Sequence, residues 1–310
     1  GRQPLRLNDM ALAKIARLPI AKDQAEAMVA TPAVADAPHA PASRARWRRL
    51  PNLRPLLLGI VSLTGFVLFW YLATKFKLDL YVRFTNIPSP EAVFEHTLKL
   101  AQTSRFYENV LISLRRILLG FGLATILGVG FGLAIGRYRW ARELLFPVFE
   151  VLRPIPAIAW VPMSIMLWPS NETSIVFITF LGSFFPILLN TIHGVHALDP
   201  VMVRAGRCLG ASEGALLREV ILPGALPHIF TGLSVGMGVA WVSLIAAEMI
   251  SGQFGIGYFT WEAYSLIQYP DIAIGMIVIG VLGLLCSGAI RLVGYAVMPW
   301  SRLRGTESHP

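Results

Sequence analysis

Val203-Arg204-Ala205-Gly206-Arg207-Cys208-Leu209-Gly210-Ala211-Ser212-Glu213-Gly214-Ala215-Leu216-Leu217-Arg218-Glu219-Val220-Ile221-Leu222-Pro223 is the one long polar stretch that lies between strongly apolar ones. Local rules give it two short helices. Asp199 and Pro200 supply an N-cap and a first-turn proline for the first helix, and Gly210 suits a left-handed stop at its end. Ser212 can cap the second helix, with Glu213 at its positive end. Leu216, Leu217, Val220 and Ile221 recur at helical spacing and make one face apolar. Leu222-Pro223-Gly224 is expected to end it. A stiff, amphipathic helical hairpin between apolar runs is built to touch another protein.

The runs on either side set the class. Of the 310 residues 55% are apolar, and the mean hydropathy is +0.60. Several runs approach the roughly 20 apolar residues that cross a bilayer as a helix. The expectation is an all-α, polytopic membrane protein with about six transmembrane helices. A net charge of +9 raises the question of nucleic acid. The arginines sit beside the apolar runs, as cytoplasmic anchors do, and no groove-binding or single-strand motif accompanies them, so nucleic acid is excluded as a partner. Cys208 and Cys286 fall at different depths and are not expected to form a disulfide. No Gly-x-x-x-x-Gly-Lys-Ser/Thr loop occurs, so the chain is not expected to bind ATP by itself.

Charge then assigns sides. Residues 1–50 read as a flexible cytoplasmic tail, with a short helix from Met10 to Met28 and an Ala/Pro-rich run from Thr31 to Ser43. Arg44, Arg46, Arg48, Arg49 and Arg54 precede an apolar run, Pro55 to Thr74, that is too long for a signal peptide. Residues 51–110 are therefore a first span and an external amphipathic segment, whose helix opens at Ser89-Pro90-Glu91 and runs to about Leu100. Residues 111–300 form the core. Span two is expected at about Ile117 to Ile135, followed by the basic loop Gly136 to Arg142. Span three, about Leu144 to Trp168, is interrupted by Pro154, Pro156 and Pro162. Span four runs from Ile175 to about Ile192, span five from Ile229 to Ile250, and span six from Ile272 to about Val297. The positive-inside rule places the hairpin segment 193–228 and both termini, with tail 301–310 and its Arg302 and Arg304, in the cytoplasm. The loop before Asp271 holds Glu262 and no Lys or Arg, which suits the external face.

The hairpin resembles the EAA loop of bacterial ABC importer permeases: Glu-Ala-Ala, three residues, Gly, nine residues, then Ile-x-Leu-Pro. Gly210 fills the glycine, Val220 the isoleucine and Leu222-Pro223 the closing pair, while Arg204-Ala205-Gly206 stands where the leading acid and alanines would be. Arg153-Pro-Ile-Pro-Ala-Ile-Ala-Trp-Val-Pro162 and Leu222-Pro-Gly-Ala-Leu-Pro227 are similar to the nitrate, sulfonate, taurine and bicarbonate branch. That resemblance covers roughly Asn86 to Trp300 and implies a type I importer permease fold in the bacterial inner membrane. It further implies a second permease subunit, as a homodimer, an external substrate-binding protein, surrounding lipids, and cytoplasmic ATP-binding subunits. Those subunits would use ATP and Mg; this chain would carry no cofactor. The contact with them would be made by Arg204, Ala205, Gly206, Gly210, Ala211, Ser212, Glu213, Glu219, Leu222 and Pro223. The cargo implied is a small oxyanion or organic sulfonate.

Within the apolar runs, polar residues are the candidates for a path. Arg153 sits about nine residues into span three, roughly 13 Å deep at 1.5 Å per residue. A charge there costs at least a few kcal/mol, so it should face protein or water. It either closes a helix break or offers a positive point to anions. Trp160 lies in the same proline-rich segment. Glu248, near the outer end of span five, reads as interfacially solvated, with a gating role as the alternative. Asn190 is expected to bond a neighbouring helix. Arg115 and Arg116 read as headgroup anchors. His193 and His196 lack a third metal ligand. Gly128, Gly132 and Gly136, and Gly232 and Gly236, make small faces for close helix packing within the subunit or between subunits. A channel or secondary transporter independent of ATPase would need more intramembrane acids than appear, and no nucleophile or His-Glu-x-x-His constellation supports an intramembrane enzyme.

Overall fold

The computed structural model describes residues 54–77, 79–80, 82–83 and 87–299. The expected N-terminal tail with its Met10–Met28 helix and arginines 44–49, and the C-terminal arginines 302 and 304, lie outside the described residues. The first long helix, α1, is Arg54–Lys75. Its apolar residues from Leu57 to Phe69 are exposed and only Ala73 is fully buried, the pattern of a helix that faces lipid. A short antiparallel ladder pairs β1 (Asp79–Leu80) with β2 (Val82–Arg83). Helix α2, Pro90–Leu100, opens where expected, with the Ser89 hydroxyl accepting from Ala92 N at 3.3 Å.

The core follows. Helix α3 is Ser104–Arg137, and α4 is Arg139–Leu152. A 3-10 turn at Ala157–Trp160 leads into α5, Val161–Leu167. Helix α6 is Asn171–His196. The hairpin contributes α7, Pro200–Cys208, and α8, Glu213–Ala215. A wide π turn at Leu216–Ile221 joins α8 to α9, Leu222–Ser251. Helices α10, Ile256–Ser265, and α11, Tyr269–Val297, follow. Among the described residues five helices are long and apolar enough to cross a membrane, six if the bent pair around Pro154 counts as one span.

Helix α6 is the axis, packed against both α3 and α9. Over its most apolar window it is 56% buried, against 6% for α1 and 11% for α11. One core cluster joins Ile117, Ile175, Ile178, Met237, Trp241 and Leu244; a second joins Ala124, Ile135, Phe184, Ile187, Leu188 and Ile192. Glycines set the spacing. A methyl group on Gly128 would stand 3.0 Å from Ile187, and one on Gly136 2.8 Å from Val195. On the other side of α6, Gly232 lies against Asn190 and Gly236 against Ile187. Both stripes thus pack within the subunit, and lipid-embedded helices approach closely where side chains are small.

The interruption expected in span three is present and is sharp: α4 and the Ala157–Leu167 segment meet at 86°. Pro154 and Pro156 lack N–H groups and their rings crowd the preceding turn, so the helix stops at Leu152. The hairpin's second arm does not end at Leu222-Pro223-Gly224. It continues as one helical run from Glu213 to Ser251. Pro223 falls in the first turn of α9, where its missing donor is tolerated, and Leu222 N–H reaches back to Leu217 O in the wider π winding. Finally, α3 begins at Ser104, well before the expected Ile117.

Gly132 tests the packing. A methyl group there would stand 2.5 Å from Thr191 Cβ and 3.0 Å from Leu188 O, whereas one on Gly130 would meet nothing within 4 Å. Gly132→Ala should therefore lower stability by about 1–3 kcal/mol, the cost of overpacking. Gly130→Ala should be neutral or slightly stabilising, as for alanine over glycine in a helix. Thermal unfolding of the detergent-solubilised protein reads the difference, and equal midpoints would refute it.

Candidate functional site

The hairpin is built by its caps. Asp199 Oδ1 accepts from Val201 N at 2.8 Å at the start of α7. At its end Gly210 takes φ +80°, a value that side-chain-bearing residues rarely adopt. Gly210 N donates to Arg207 O and Ala211 N to Gly206 O, both at 3.0 Å, which closes a Schellman motif. Ser212 Oγ then accepts from Ala215 N at 3.3 Å and starts the second arm. The arms meet where fully buried Leu216 lies against Gly206, so close that a methyl group on Gly206 would stand 2.6 Å from Leu216 Cδ2. Glu213 ties the hairpin together and to the bundle: it accepts from Arg207 Nη2 at 3.1 Å and pairs with Arg137 in the last turn of α3.

The hairpin turns an unusual face outward. Leu209 at its tip is 88% exposed, with Val201 and Met202 exposed beside it. Arg204, Ala205, Ser212 and Glu219 are exposed, Gly206, Ala211, Leu222 and Pro223 half-buried. A groove of about 1050 Å³ runs between the arms, lined by Met202, Leu209, Glu219, Pro223, Pro227 and His228 among others. Exposed apolar groups rimmed by charge and a groove are the features of a protein-binding surface.

The opposite end of the bundle holds a buried polar cluster that the sequence reading missed. Glu248 of α9 is fully buried. It is not solvated at an interface, as its position near the end of an apolar run led us to expect. Its carboxylate accepts from Ser113 Oγ at 2.7 Å, Arg116 Nη1 at 2.9 Å and Gly257 N at 2.9 Å. Arg116, only 2% exposed, is likewise no headgroup anchor. It donates Nη1 to Phe254 O at 2.6 Å and Nε to Glu172 Oε2 at 3.0 Å, while its Nη2 meets the other oxygen of Glu172. Asn109 Oδ1 accepts from Gly255 N at 2.9 Å. Gly255, at φ +115°, leaves room for the Glu248 carboxyl, which a side chain there would strike. A signal existed: Asn109, Ser113 and Arg116 recur at helical spacing and so form one polar stripe on an apolar helix.

The remaining candidates are dispersed. Arg153 caps α4 at the 86° elbow with its side chain 53% exposed, 3.9 Å from Glu150. Trp160 is half-buried against the cluster that contains Ile117 and Trp241. Asn190 Nδ2 donates to Pro186 O of its own helix at 2.8 Å, not to a neighbouring helix, because the carbonyl one turn back is within reach. No ion pair or hydrogen bond among the described residues joins any two of Arg153, Trp160, Asn190 and Glu248. His193 and His196 are exposed, and no group of three or more His, Cys, Asp or Glu among the described residues is placed to hold a metal.

Comparison with known proteins adds identity to this geometry. Residues 124–302 match the family described as binding-protein-dependent transport system inner membrane component. A putative ABC transporter permease protein of Methanocaldococcus jannaschii is 36% identical over 258 residues, 81% of this chain and 95% of that protein. A nitrate import permease protein of Synechocystis sp. is 34% identical across 69% of this chain and 82% of its own length. A taurine transport system permease protein of Escherichia coli is 32% identical across 83% and 94%. The matched region contains the hairpin, the elbow and α9 alike, and on these grounds the chain belongs to the inner-membrane permease subunits of ABC importers, transport subunits whose ATPase lies in a separate chain.

Proposed function

We propose that this permease forms the translocation path for a small oxyanion or organic sulfonate and that the hairpin is the surface on which the ATPase subunits dock. The observation that carries the docking is the hairpin itself, with exposed Leu209 and Met202 beside a groove that Glu219 borders. Apolar groups fixed on a Schellman-capped hairpin lose little conformational entropy when a partner covers them. The hairpin then lies on the cytoplasmic side with both termini, where ATP and Mg are available to the partner. The external binding protein delivers cargo to the other face, and a second copy of this chain completes the path. Co-purification of an untagged copy with a tagged one checks that pairing. ATP-driven closure of the ATPases displaces the hairpins and alternates access.

Arg153 supports the cargo assignment. Its guanidinium stands exposed at a break in the membrane segment, where irregular backbone belongs to a cavity or a protein interface. Two copies would bring two such charges to a shared path. A planar fork matches two oxygens of nitrate, a carboxylate or a sulfonate. The relatives named for nitrate, bicarbonate and taurine carry cargoes of this chemistry.

Two experiments bear on these readings. Proline at position 210 cannot take φ +80° and removes the N–H bonded to Arg207 O, so Gly210→Pro strains the hairpin by about 1–3 kcal/mol. Capture of the purified ATPase by inside-out vesicles should fall by about tenfold or more, with membrane insertion intact, and right-side-out vesicles should capture none. Undiminished capture by the variant removes the docking assignment. Arg153→Gln should lower nitrate or taurine uptake into proteoliposomes by about tenfold, the loss of one charge-assisted hydrogen bond, while ATP hydrolysis stays within about twofold. Uptake at the wild-type rate would make Arg153 a structural cap.

A further inference from the structure

Two features sit at opposite ends of one helical run. The second arm of the hairpin and α9 are continuous from Glu213 to Ser251, 39 residues that measure about 58 Å at 1.5 Å per residue. One end carries the groove-facing Glu219. The other carries Glu248, buried and bonded to Arg116 of α3. Arg116 does not stop there. Its second edge grips Glu172, in the first turn of α6, through two hydrogen bonds. A single guanidinium thus spans two carboxylates on two different helices while sitting on a third.

We propose that Arg116 is a positioning residue of the transport cycle. It clasps α3, α6 and α9 at the end away from the hairpin, so that displacement of the hairpin is delivered across the bundle instead of being lost as bending between helices. Where the clasp sits argues for this. At the hairpin end α3 is joined to the second arm by the Arg137–Glu213 pair, whose carboxylate is 54% exposed and whose guanidinium is 19% exposed. A pair that water reaches on one side is weaker than a sealed one. The Arg116–Glu248 pair is sealed from water, with both side chains at most 2% exposed, and its atoms are held by Ser113, Gly257 N and Phe254 O. Breaking a pair of that kind leaves a charge buried and uncompensated, so α3 and α9 stay joined there through a cycle, and the two hydrogen bonds to the half-exposed Glu172 add α6 to them. A bundle held by a sealed charge pair at one end, and by packing and a half-exposed pair at the other, converts a push at the hairpin into a rotation about the sealed end. This inference rests on the reading of the hairpin as the ATPase dock.

The test uses the complete complex in nanodiscs, with ATP hydrolysis measured alone and with the external binding protein added on the far side. Stimulation by that protein must cross the bundle to reach the ATPase, so it reads transmission. Two variants are compared, Arg116→Gln and Glu172→Gln. The second orphans no buried charge, because buried Arg116 keeps its pair with Glu248, so it remains informative if Arg116→Gln fails to assemble. Basal hydrolysis per complex should stay near wild type in both, and stimulation should fall about fivefold or more, the usual size of a coupling between sites. Arg116→Lys, which keeps the charge but not the fork, should recover part of it. If Glu172→Gln lowers only the yield of complex while stimulation per complex is unchanged, the clasp is structural and the proposal fails with the docking reading intact. If the wild-type permease binds no ATPase through the hairpin, both readings fall together.

Discussion

Close backbone approach to α6 is the constraint on which the bundle depends. In a bilayer, apolar side chains gain nothing by leaving lipid for one another, so contact between helices must come from fit and from polar bonds. The glycines of α3 and α9 provide the fit. Gly128, Gly132 and Gly136 seat α3 along Ile187, Thr191 and Val195; Gly232 and Gly236 seat α9 along Asn190 and Ile187. Ile187 is thus gripped from both sides and is fully buried. The polar bonds come at the ends, where fit gives way to the Arg116 cluster on one side and the hairpin on the other.

The cluster contributes something different from net stability. Taking an arginine and a glutamate out of water costs several kcal/mol per ion, which their attraction repays only when the geometry is good and the remaining polar atoms are satisfied. Here they are: Glu248 draws on three donors and Arg116 on two carboxylates and a carbonyl. An apolar replacement of equal volume could hold the helices together as strongly, but it would not fix which turn of α9 faces which turn of α3. A glutamate, an arginine and a carbonyl at Phe254 can meet in one register only. Gly255 and Gly257 belong to the same device, since side chains there would invade the space of Glu248.

Much of the fold was legible because local rules decide it. Asp199-Pro200, Gly210 and Ser212 cap the hairpin as their chemistry requires, and long apolar runs became long helices. What failed was reading residues one at a time. Depth in a span does not account for Glu248, nor distance from a span's end for Arg116; each is explained by the other 132 positions away. Depth along a helix is local information; partnership is not. Pro223 misled for a related reason, because proline was read as a stop although it occupies a first turn supported by π winding. The prolines around Arg153 mark a break, yet a one-dimensional pattern does not distinguish a kink from an 86° elbow.

That elbow and the unbroken α9 impose a division of labour. A helix transmits force along its axis only as far as its winding continues: α9 runs on past Pro227 to Ser251, while α4 ends at Leu152. An axial push therefore cannot travel along the third segment as it can along α9. What a break offers instead is exposed backbone and a free edge for side chains, tolerated at membrane depth only beside a cavity or another chain. Arg153, at that break, retains more than half of its side-chain exposure and only a 3.9 Å neighbour in Glu150. Arg116, on an unbroken helix, has its donors committed to Glu172, Glu248 and Phe254 O. Two arginines of the same chain thus divide by the continuity of the helices that carry them. The buried one holds helices in register, and the exposed one keeps its charge at the surface of the chain.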